Sequence, residues 1–180
     1  MKGIVFTELL EMVEAKFGLE VADAIVQAAH LESEGAYTSV GTYDHKEIFA
    51  LVAQLEKHSG IDSKMLFQVF GQYLFKKFYQ GYPHFFAESM DTFSFLDTIE
   101  DHIHVEVLKL YKDAQLPRFD IYRDDKSLRM IYHSDRKMGD FAHGLLLGAI
   151  EHFNEPDIVI VQESLSESGD RISFTLTKNA

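Results

Sequence analysis

Apolar side chains recur every three to four positions through the first two thirds of the chain. At the amino-terminal end the positions that fit this spacing are Val5, Leu9, Met12, Val13 and Phe17. The spacing predicts an amphipathic helix, and Gly18 predicts its end. A second, short helix is expected over residues 20–30. The stretch SEGAYTSVGTYDH that follows is polar and rich in turn-forming residues, so it is predicted to be a loop.

Further helical stretches are predicted before the pattern changes. They cover residues 45–58, 63–79 and 91–112. Asp44 is placed to cap the first of these helices, and Asp62 is placed to open the second, because short polar side chains satisfy free amides at helix starts. The third stretch is expected to be interrupted near Thr98.

Beyond Pro117 the helical spacing gives way to alternation of apolar and polar residues. The stretches FDIYRD and SLRMIYHS flank a polar turn and predict a β-hairpin. A helix over residues 139–153 separates this hairpin from two more predicted strands, DIVIVQES and DRISFTLTK, joined by a turn that ends in Gly169.

Helices first and antiparallel strands later predict an α+β fold. We expect a helical lobe over residues 1–116 and an antiparallel four-stranded sheet with an inserted helix over residues 117–180. A chain of 180 residues is long enough for one domain with a substantial core. Residues 1–180 are therefore predicted to form a single domain.

Composition and charge narrow the classes of function. The net charge is −12 with no basic stripe, which argues against a nucleic-acid partner. No apolar run approaches the roughly 20 residues that span a bilayer, so no membrane partner is expected. Acidic residues come too early at the amino-terminal end for a secretory signal, which makes the cytoplasm the expected location. With no cysteine, disulfides and thiolate metal sites are excluded.

The segment YHSDR places Tyr132, Ser134 and Arg136 at every second position. If the preceding strand continues through them, all three side chains leave one face, spread over roughly 13 Å. Two hydroxyls and a guanidinium can together donate hydrogen bonds to an extended, electron-rich group. The alternative is that these residues form the ordinary solvent-facing side of a strand.

Helical periodicity separates two neighbouring histidines. His104 shares a face with Val107, Leu108 and Tyr111, whereas His102 falls on the wetter side. The apolar stripe beside His104 consists of Leu96, Ile99, Ile103, Val107 and Leu110. An inward histidine is either a hydrogen-bonded core residue or a ligand. No HExxH pattern accompanies it, which disfavours a catalytic zinc site.

A single inward imidazole and a separate strip of donors are what haem b requires. The iron takes an axial nitrogen, and the two propionates take arginine and hydroxyl partners. The 15 phenylalanines and the leucines of the chain are suited to line the macrocycle.

Several segments resemble the haem nitric oxide/oxygen binding (H-NOX) family, whose bacterial members are related to the sensor domain of soluble guanylate cyclase. The resemblance covers nearly the whole chain. It is carried by MKGIVF, FGQYLFKKFYQGYPHFF, IHVEVLKLYKDAQLPRF, YHSDRKM and the final strand pair. The Y-x-S-x-R motif is the family's signature for the haem propionates. The resemblance implies the H-NOX fold, with haem b between the two lobes.

The resemblance also implies roles for individual residues. His104 matches the proximal ligand of the iron, and Tyr132, Ser134 and Arg136 match the residues that hold the propionates. Pro117 matches a proline that presses on the porphyrin and distorts it, although a proline here also ends a helix before a strand. Some members hold a zinc ion with cysteines, and no zinc is expected in a chain without cysteine.

The distal pocket, in which the gas binds, is also assigned by resemblance. The matched positions are all apolar: Val5, Leu9, Leu74, Phe78, Phe141 and Leu145. Phe141 stands where oxygen-binding members have a tyrosine, and Leu74 where some have an asparagine. Bound O2 carries negative charge and benefits from a donor, whereas NO depends on one much less. NO and CO are therefore the predicted ligands and O2 is predicted to be excluded, although the same apolar residues also suit an ordinary core.

The implied function is that of a haem-based NO sensor without enzymatic activity. By this resemblance, NO is expected to weaken the bond between His104 and the iron, and the released helix is expected to shift the helical lobe relative to the sheet. Because the chain ends at Ala180, we expect the output to act in trans on a signalling protein, such as a sensor histidine kinase or a cyclic-di-GMP enzyme.

Two other classes of function stay open from the residues alone. One is a haem-free ligand-binding or adaptor domain that regulates a signalling enzyme. The other is a haem peroxidase, which is disfavoured because the matched distal positions lack the histidine and arginine that O–O cleavage uses.

Overall fold

The computed structural model describes residues 1–86 and 90–179. Its α-helices are α1 (Gly3–Phe17), α2 (Leu19–Ala28), α3 (Lys46–Ser59), α4 (Ser63–Gly81), α5 (Thr92–Asp97), α6 (His104–Leu110) and α7 (Gly139–His152). A 3₁₀ turn (Pro83–Phe85) follows α4, and a π-helical turn (Ile99–Ile103) leads directly into α6. The strands are β1 (Arg118–Arg123), β2 (Ser127–His133), β3 (Ile158–Ser164) and β4 (Arg171–Lys178). Ala180, at which the predicted domain ends, lies outside the described residues.

The helix boundaries follow the local cues in the sequence. Gly18, which follows α1, has a φ of 92°, and Gly60, which follows α3, has a φ of 71°; both angles suit glycine far better than other residues. A carboxylate oxygen of Asp62 accepts the amide hydrogen of Lys64 at 2.9 Å, and Asp44 accepts that of Lys46 at the same distance. The predicted helices lie within two residues of the observed ones.

The four strands form one antiparallel sheet in the order β1-β2-β4-β3. Alternate residues of β2 are buried, as the apolar–polar alternation predicts, and in β4 the buried apolar residues alternate while Ser173 between them is buried as well. The buried side chains are Leu128, Met130, Tyr132, Ile172, Phe174 and Leu176, and they form one core with α5 and α7. The predicted α+β fold with a four-stranded antiparallel sheet is confirmed.

A second core lies among the helices of the amino-terminal half. Buried side chains of α1, α2, α3 and α4 form it, including Phe6, Ile25, Leu51 and Phe70. The two cores meet at α4 and α7, because Leu145 of α7 packs against both.

The backbones of α4 and α7 touch where two glycines cross. A Cβ atom at Gly144 would lie 2.1 Å from the carbonyl oxygen of Gln68, and one at Gly71 would lie 2.4 Å from that of Phe141. No larger residue fits either position without moving a helix. This close approach fixes where the side chains of α7 stand relative to α4.

No helix in residues 1–86 and 90–179 combines the length and apolar character that crossing a bilayer requires.

Candidate functional site

A cavity of about 390 Å³ lies among the helices and the hairpin of β1 and β2. A volume of this size falls in the range of small-molecule and cofactor sites. The lining side chains are mostly apolar, and a few polar groups lie among them.

The first side of the cavity is formed by helices of both cores, and we call it the α4–α7 wall. It consists of Val5 of α1, Leu74 and Phe78 of α4, and Phe141 and Leu145 of α7. Every side chain that α1, α4 and α7 contribute to the lining is apolar. Leu9, which the sequence places in the same group, is instead buried in the helical core, because it lies one helical turn beyond Val5.

The second side is formed by the π-helical turn and α6, and we call it the α6 wall. It consists of Ile99, Ile103, His104, Val107, Leu110 and Tyr111. The predicted stripe beside His104 therefore faces the cavity. The placement of Leu108 on the face of His104 is wrong: its side chain is 41% exposed, because the cavity lies on the Val107 side of α6.

His104 is held against a carboxylate at the cavity surface. Its Nδ1 atom lies 3.5 Å from Oε1 of Glu100, and its side chain is only 15% exposed. Burial lowers the pKa of His104 by more than the neighbouring Glu100 carboxylate raises it. The neutral imidazole then carries its hydrogen on Nδ1, towards the carboxylate, and keeps the lone pair of Nε2 for a metal ion.

The π-helical turn sets the spacing between these two side chains. The carbonyl oxygen of Thr98 accepts from the amides of both His102 and Ile103, at 3.0 and 3.1 Å, which marks the wider turn. Such turns are frequent at functional sites. The sequence pattern predicts the interruption at Thr98. The role of Glu100 was not predicted, although a carboxylate four residues before an inward histidine is a detectable signal.

The YHSDR segment does not continue the strand as predicted. β2 ends at His133, and residues 134–137 form a turn in which the Lys137 amide donates to the Ser134 carbonyl at 3.1 Å. Lys137, the last residue of this turn, has a left-handed φ of 57°, and α7 begins two residues later. Even so, Tyr132, Ser134 and Arg136 all line the cavity.

The two hydroxyls of this segment accept hydrogen bonds from backbone amides. The Tyr132 hydroxyl oxygen accepts from the Met138 amide at 3.1 Å, and the Ser134 hydroxyl oxygen accepts from the Arg136 amide at 3.2 Å. Both hydroxyls can still donate their own hydrogen. Burial raises the pKa of Tyr132, so its hydroxyl stays protonated at neutral pH.

Arg136 brings a half-buried positive charge to the cavity. Burial lowers the pKa of its guanidinium. Within residues 1–86 and 90–179 it forms no ion pair with a carboxylate, and its side chain reaches only Gln115 Oε1, at 3.5 Å. The other cavity-lining cation, Lys2, is paired with Asp113 at 3.2 Å. Burying a guanidinium without an anionic partner costs desolvation free energy, which a bound anion would offset.

Other cavity-lining residues were predicted in part or missed. Pro117 lines the cavity just before β1, as its assigned role requires. Tyr111, which helical spacing places on the face of His104, and Tyr82, after α4, which no pattern in the sequence marks, add two hydroxyls to the lining. Burial, with Tyr111 beside it, raises the pKa of Tyr82.

These residues fit haem as a group. Nε2 of His104 offers a metal ligand, the unpaired Arg136 and two hydroxyls offer partners for carboxylates, and apolar side chains form most of the surface between them. The unpaired guanidinium is the observation that an ordinary apolar core does not explain.

Comparison with known proteins agrees with this reading. Residues 2–161 match the protein family described as Haem-NO-binding. The Fe(II) unliganded H-NOX protein from K. algicida is 41% identical, with a TM-score of 0.93 over 100% of this chain and 97% of that chain. The H-NOX from Shewanella woodyi, in its IWP-051-bound Fe(II)CO state, is 40% identical, with a TM-score of 0.84 over 99% of this chain and 95% of that one.

A third solved structure is that of an H-NOX protein from S. oneidensis in the Fe(II)NO state. It is 27% identical and covers 100% of both chains, with a TM-score of 0.86. Fold, family match and cavity thus lead to one assignment: the chain belongs to the haem-NO-binding (H-NOX) family of haem-based gas sensor domains.

Proposed function

We propose that this protein holds haem b in the cavity, binds NO and CO, excludes O2, and signals by releasing His104. The observation that carries the proposal is the cavity itself, in which a largely buried histidine, and an arginine that forms no ion pair within the described part of the chain, lie among apolar side chains. Haem, held by His104, would supply an iron atom that can bind a gas molecule, and binding of NO would weaken the hold of His104 on it.

His104 is the proposed protein ligand of the iron. Its Nδ1 faces Glu100, so Nε2 is the nitrogen left for coordination. Tyr132, Ser134 and Arg136 are proposed to bind the two propionates, with the guanidinium forming a charge-assisted pair and the hydroxyls fixing the orientation. Pro117 is proposed to press on the macrocycle from the start of β1.

The α4–α7 wall is proposed to select the gas. Leu74 and Phe141 offer no hydrogen to a bound diatomic molecule, and neither do their neighbours in the wall. O2 depends on such a donor because it acquires negative charge on ferrous iron, whereas NO and CO do not. The apolar wall therefore favours NO and CO over O2.

The α6 wall is proposed to transmit the response. Neither the π-helical turn nor α6 contains a fully buried residue, so little packing energy opposes their displacement once His104 is released. The loop after α6 is tied to the amino-terminal end by Lys2 and Thr42, whose side chains both bind the Asp113 carboxylate, at 3.2 and 2.9 Å. A shift of α6 would therefore reach the helical half directly.

The output is proposed to be read by a separate signalling protein. By family resemblance, a sensor histidine kinase or a cyclic-di-GMP enzyme is the expected partner. The net charge of −12 favours a partner surface that carries basic residues.

The test is the electronic absorption spectrum of the purified, reduced protein, recorded alone, with NO, with CO and in air. We expect a Soret band of five-coordinate ferrous haem, a shift to a five-coordinate NO complex, a CO complex, and no stable complex in air. A stable O2 complex would show that the cavity contains a donor to the gas. The absence of a Soret band after haem is added would reject haem binding and favour the haem-free adaptor.

A further inference from the structure

Glu100 makes two contacts that connect the α6 wall to the sheet. Its Oε1 atom accepts the amide hydrogen of Phe119, the second residue of β1, at 2.6 Å. The same atom lies 3.5 Å from Nδ1 of His104. We propose that Glu100 is a positioning residue that fixes the orientation of the His104 imidazole, strengthens its bond to iron, and couples it to β1. This inference rests on the proposed role of His104 as the haem ligand.

The chemistry follows from which nitrogen faces the carboxylate. A carboxylate that accepts the Nδ1 hydrogen increases the electron density on the opposite nitrogen and so makes the imidazole a stronger metal ligand. It also fixes the tautomer and limits rotation of the ring. The position of Glu100 in the π-helical turn, four residues before His104, is what brings the two groups together.

The contacts of Glu100 differ from those of an ordinary surface carboxylate. Glu106, six residues further on, forms an ion pair with Lys109 at 2.5 Å, and the Lys109 side chain is 65% exposed. Within residues 1–86 and 90–179, Glu100 pairs with no lysine or arginine; its side-chain partners there are an imidazole and a backbone amide. Both of these partners belong to cavity-lining residues.

Phe119 extends the connection to the predicted propionate site. Its ring centroid lies 5.8 Å from that of His104 and 5.8 Å from that of Tyr132, to which it is paired across the hairpin. Glu100 therefore holds the end of β1 that follows Pro117 against the ligand side chain. When the iron releases His104 and α6 moves, Glu100 would lose its contact with the imidazole and keep its contact with the Phe119 amide of β1.

The first experiment compares Glu100→Gln with Glu106→Gln by resonance Raman spectroscopy of the reduced holoprotein. The readout is the Fe(II)–histidine stretching frequency, which reports the strength of that bond. We expect a lower frequency in Glu100→Gln and an unchanged one in Glu106→Gln. We also expect haem affinity to fall about 10-fold in Glu100→Gln only. A glutamine oxygen can still accept the Phe119 amide, so the variant removes the charge and keeps that contact.

The outcomes separate this inference from the proposed function. If the unmodified protein shows a histidine stretching band and Glu100→Gln leaves its frequency unchanged, Glu100 has no such role, and haem binding by His104 still stands. If the unmodified protein shows no such band, the assignment of His104 fails, and this inference fails with it.

A second measurement does not require the Glu100 variant to fold. In the His104→Gly protein, free imidazole and 1-methylimidazole compete for the vacated position, and only imidazole has a hydrogen to donate to Glu100. We expect imidazole to bind at least several-fold more tightly. Equal affinities of the two would overturn the proposed hydrogen bond.

Discussion

The α4–α7 wall and the α6 wall differ in how firmly their backbone is held. In the first, two long helices touch through Gly71 and Gly144, and neighbouring side chains such as Phe70 and Leu74 are fully buried. In the second, a π-helical turn and the seven-residue α6 contain no fully buried residue, and Leu110 is 58% exposed although it lines the cavity. One wall is part of the core, whereas the other lies on its edge.

The difference assigns separate tasks to the two walls. A rigid wall keeps a constant shape around a small ligand. This suits discrimination between O2, which depends on a hydrogen bond from the protein, and NO or CO, which do not. A wall with little buried area can be displaced at low cost, which suits a response to ligand release. The proposed sensor thus selects on one side of the cavity and responds on the other.

Removing the imidazole of His104 from the α6 wall should have the largest effect of the substitutions, because it removes the proposed ligand of the iron. We expect His104→Gly to abolish the iron–histidine stretching band, because no other side chain of α6 offers a nitrogen ligand at this position. Free imidazole should restore the band without restoring the tether to α6. The matched variant His102→Gly, at an exposed position two residues away, should keep the band. A lost band in both variants would point to unfolding of the helix and not to the loss of a ligand.

Replacing Arg136 should weaken haem binding without destabilising the haem-free protein. In Arg136→Met, haem affinity should fall about 10- to 100-fold, the equivalent of losing hydrogen bonds to a charged group. The haem-free protein should be as stable as the unmodified one or more stable, because a half-buried guanidinium without a carboxylate partner has been removed. Haem-transfer titration and urea unfolding of the haem-free protein measure the two quantities. A large loss of stability in the haem-free protein would show that Arg136 has a structural role.

A methyl group at the helix crossing tests the rigidity of the α4–α7 wall. Gly144→Ala should destabilise the protein by about 1–3 kcal/mol, because the new Cβ meets backbone atoms of Gln68 at 2.1 Å and cannot be accommodated by a side-chain rotation. Gly81→Ala, at the end of α4, is the control and should be neutral or slightly stabilising, because within residues 1–86 and 90–179 no atom beyond its own helix backbone and chain neighbours would lie within 4 Å of the new Cβ. Urea unfolding measures both. Equal stabilities would mean that the two helices separate easily, and the contrast between the walls would fail.

Adding one hydroxyl to the α4–α7 wall should change which gas binds. We expect Phe141→Tyr to form a detectable O2 complex in air, with O2 affinity raised about 3- to 10-fold by a single hydrogen bond. Tyr82→Phe removes a hydroxyl that already lines the cavity and should leave gas selection unaltered. Absorption spectra in air and under CO distinguish the two variants. If Tyr82→Phe were the variant that changed O2 binding, the donor relevant to the gas would lie outside the α4–α7 wall.

The sequence predicts the fold and most of the cavity because both depend on periodicity. The helix boundaries follow from glycine, aspartate and apolar spacing, and the inward position of His104 follows from the stripe Ile99, Ile103, Val107. Resemblance adds roles that spacing cannot give, such as the pocket positions of Leu74 and Phe141. Those roles stay predictions until the experiments above are made.

The parts that sequence analysis predicts incorrectly depend on single departures from regular structure. The strand predicted through Ser134 and Arg136 ends at His133 because a turn closed by the Ser134 carbonyl and the Lys137 amide follows it, which alternation of residue types does not reveal. Leu108 is misplaced because the spacing from His104 alone does not show which side of α6 meets the cavity. The unpaired state of Arg136 is a property of its three-dimensional surroundings.

The smallest expected effect concerns the point where the α6 wall is anchored. Asp91 precedes α5, and its carboxylate accepts from the Ser94 amide at 2.8 Å and from Lys178 Nζ at 2.8 Å. Lys178 also reaches Glu155 at 2.9 Å. This cluster links the start of α5 to β4 and to the segment after α7, so it fixes the upstream end of the segment that leads to His104.

Acid should weaken this anchor. Burial raises the pKa of Asp91, but the hydrogen bonds from Lys178 and Ser94 lower it by more, so its pKa in the folded protein lies well below the ordinary value of 3.8. A group whose folded-state pKa is depressed adds stability above its unfolded-state pKa and loses that contribution as the pH falls below it. Asp91→Asn keeps the helix cap and removes the charge, so at pH 7 it should cost less than about 1 kcal/mol. In urea unfolding of the haem-free protein, the difference from the unmodified chain should stay constant above about pH 5 and shrink as the pH falls below about 4. Asp23→Asn, at an exposed position of α2, should not reproduce this trend, and a difference independent of pH would show that the charge of Asp91 does not hold the anchor.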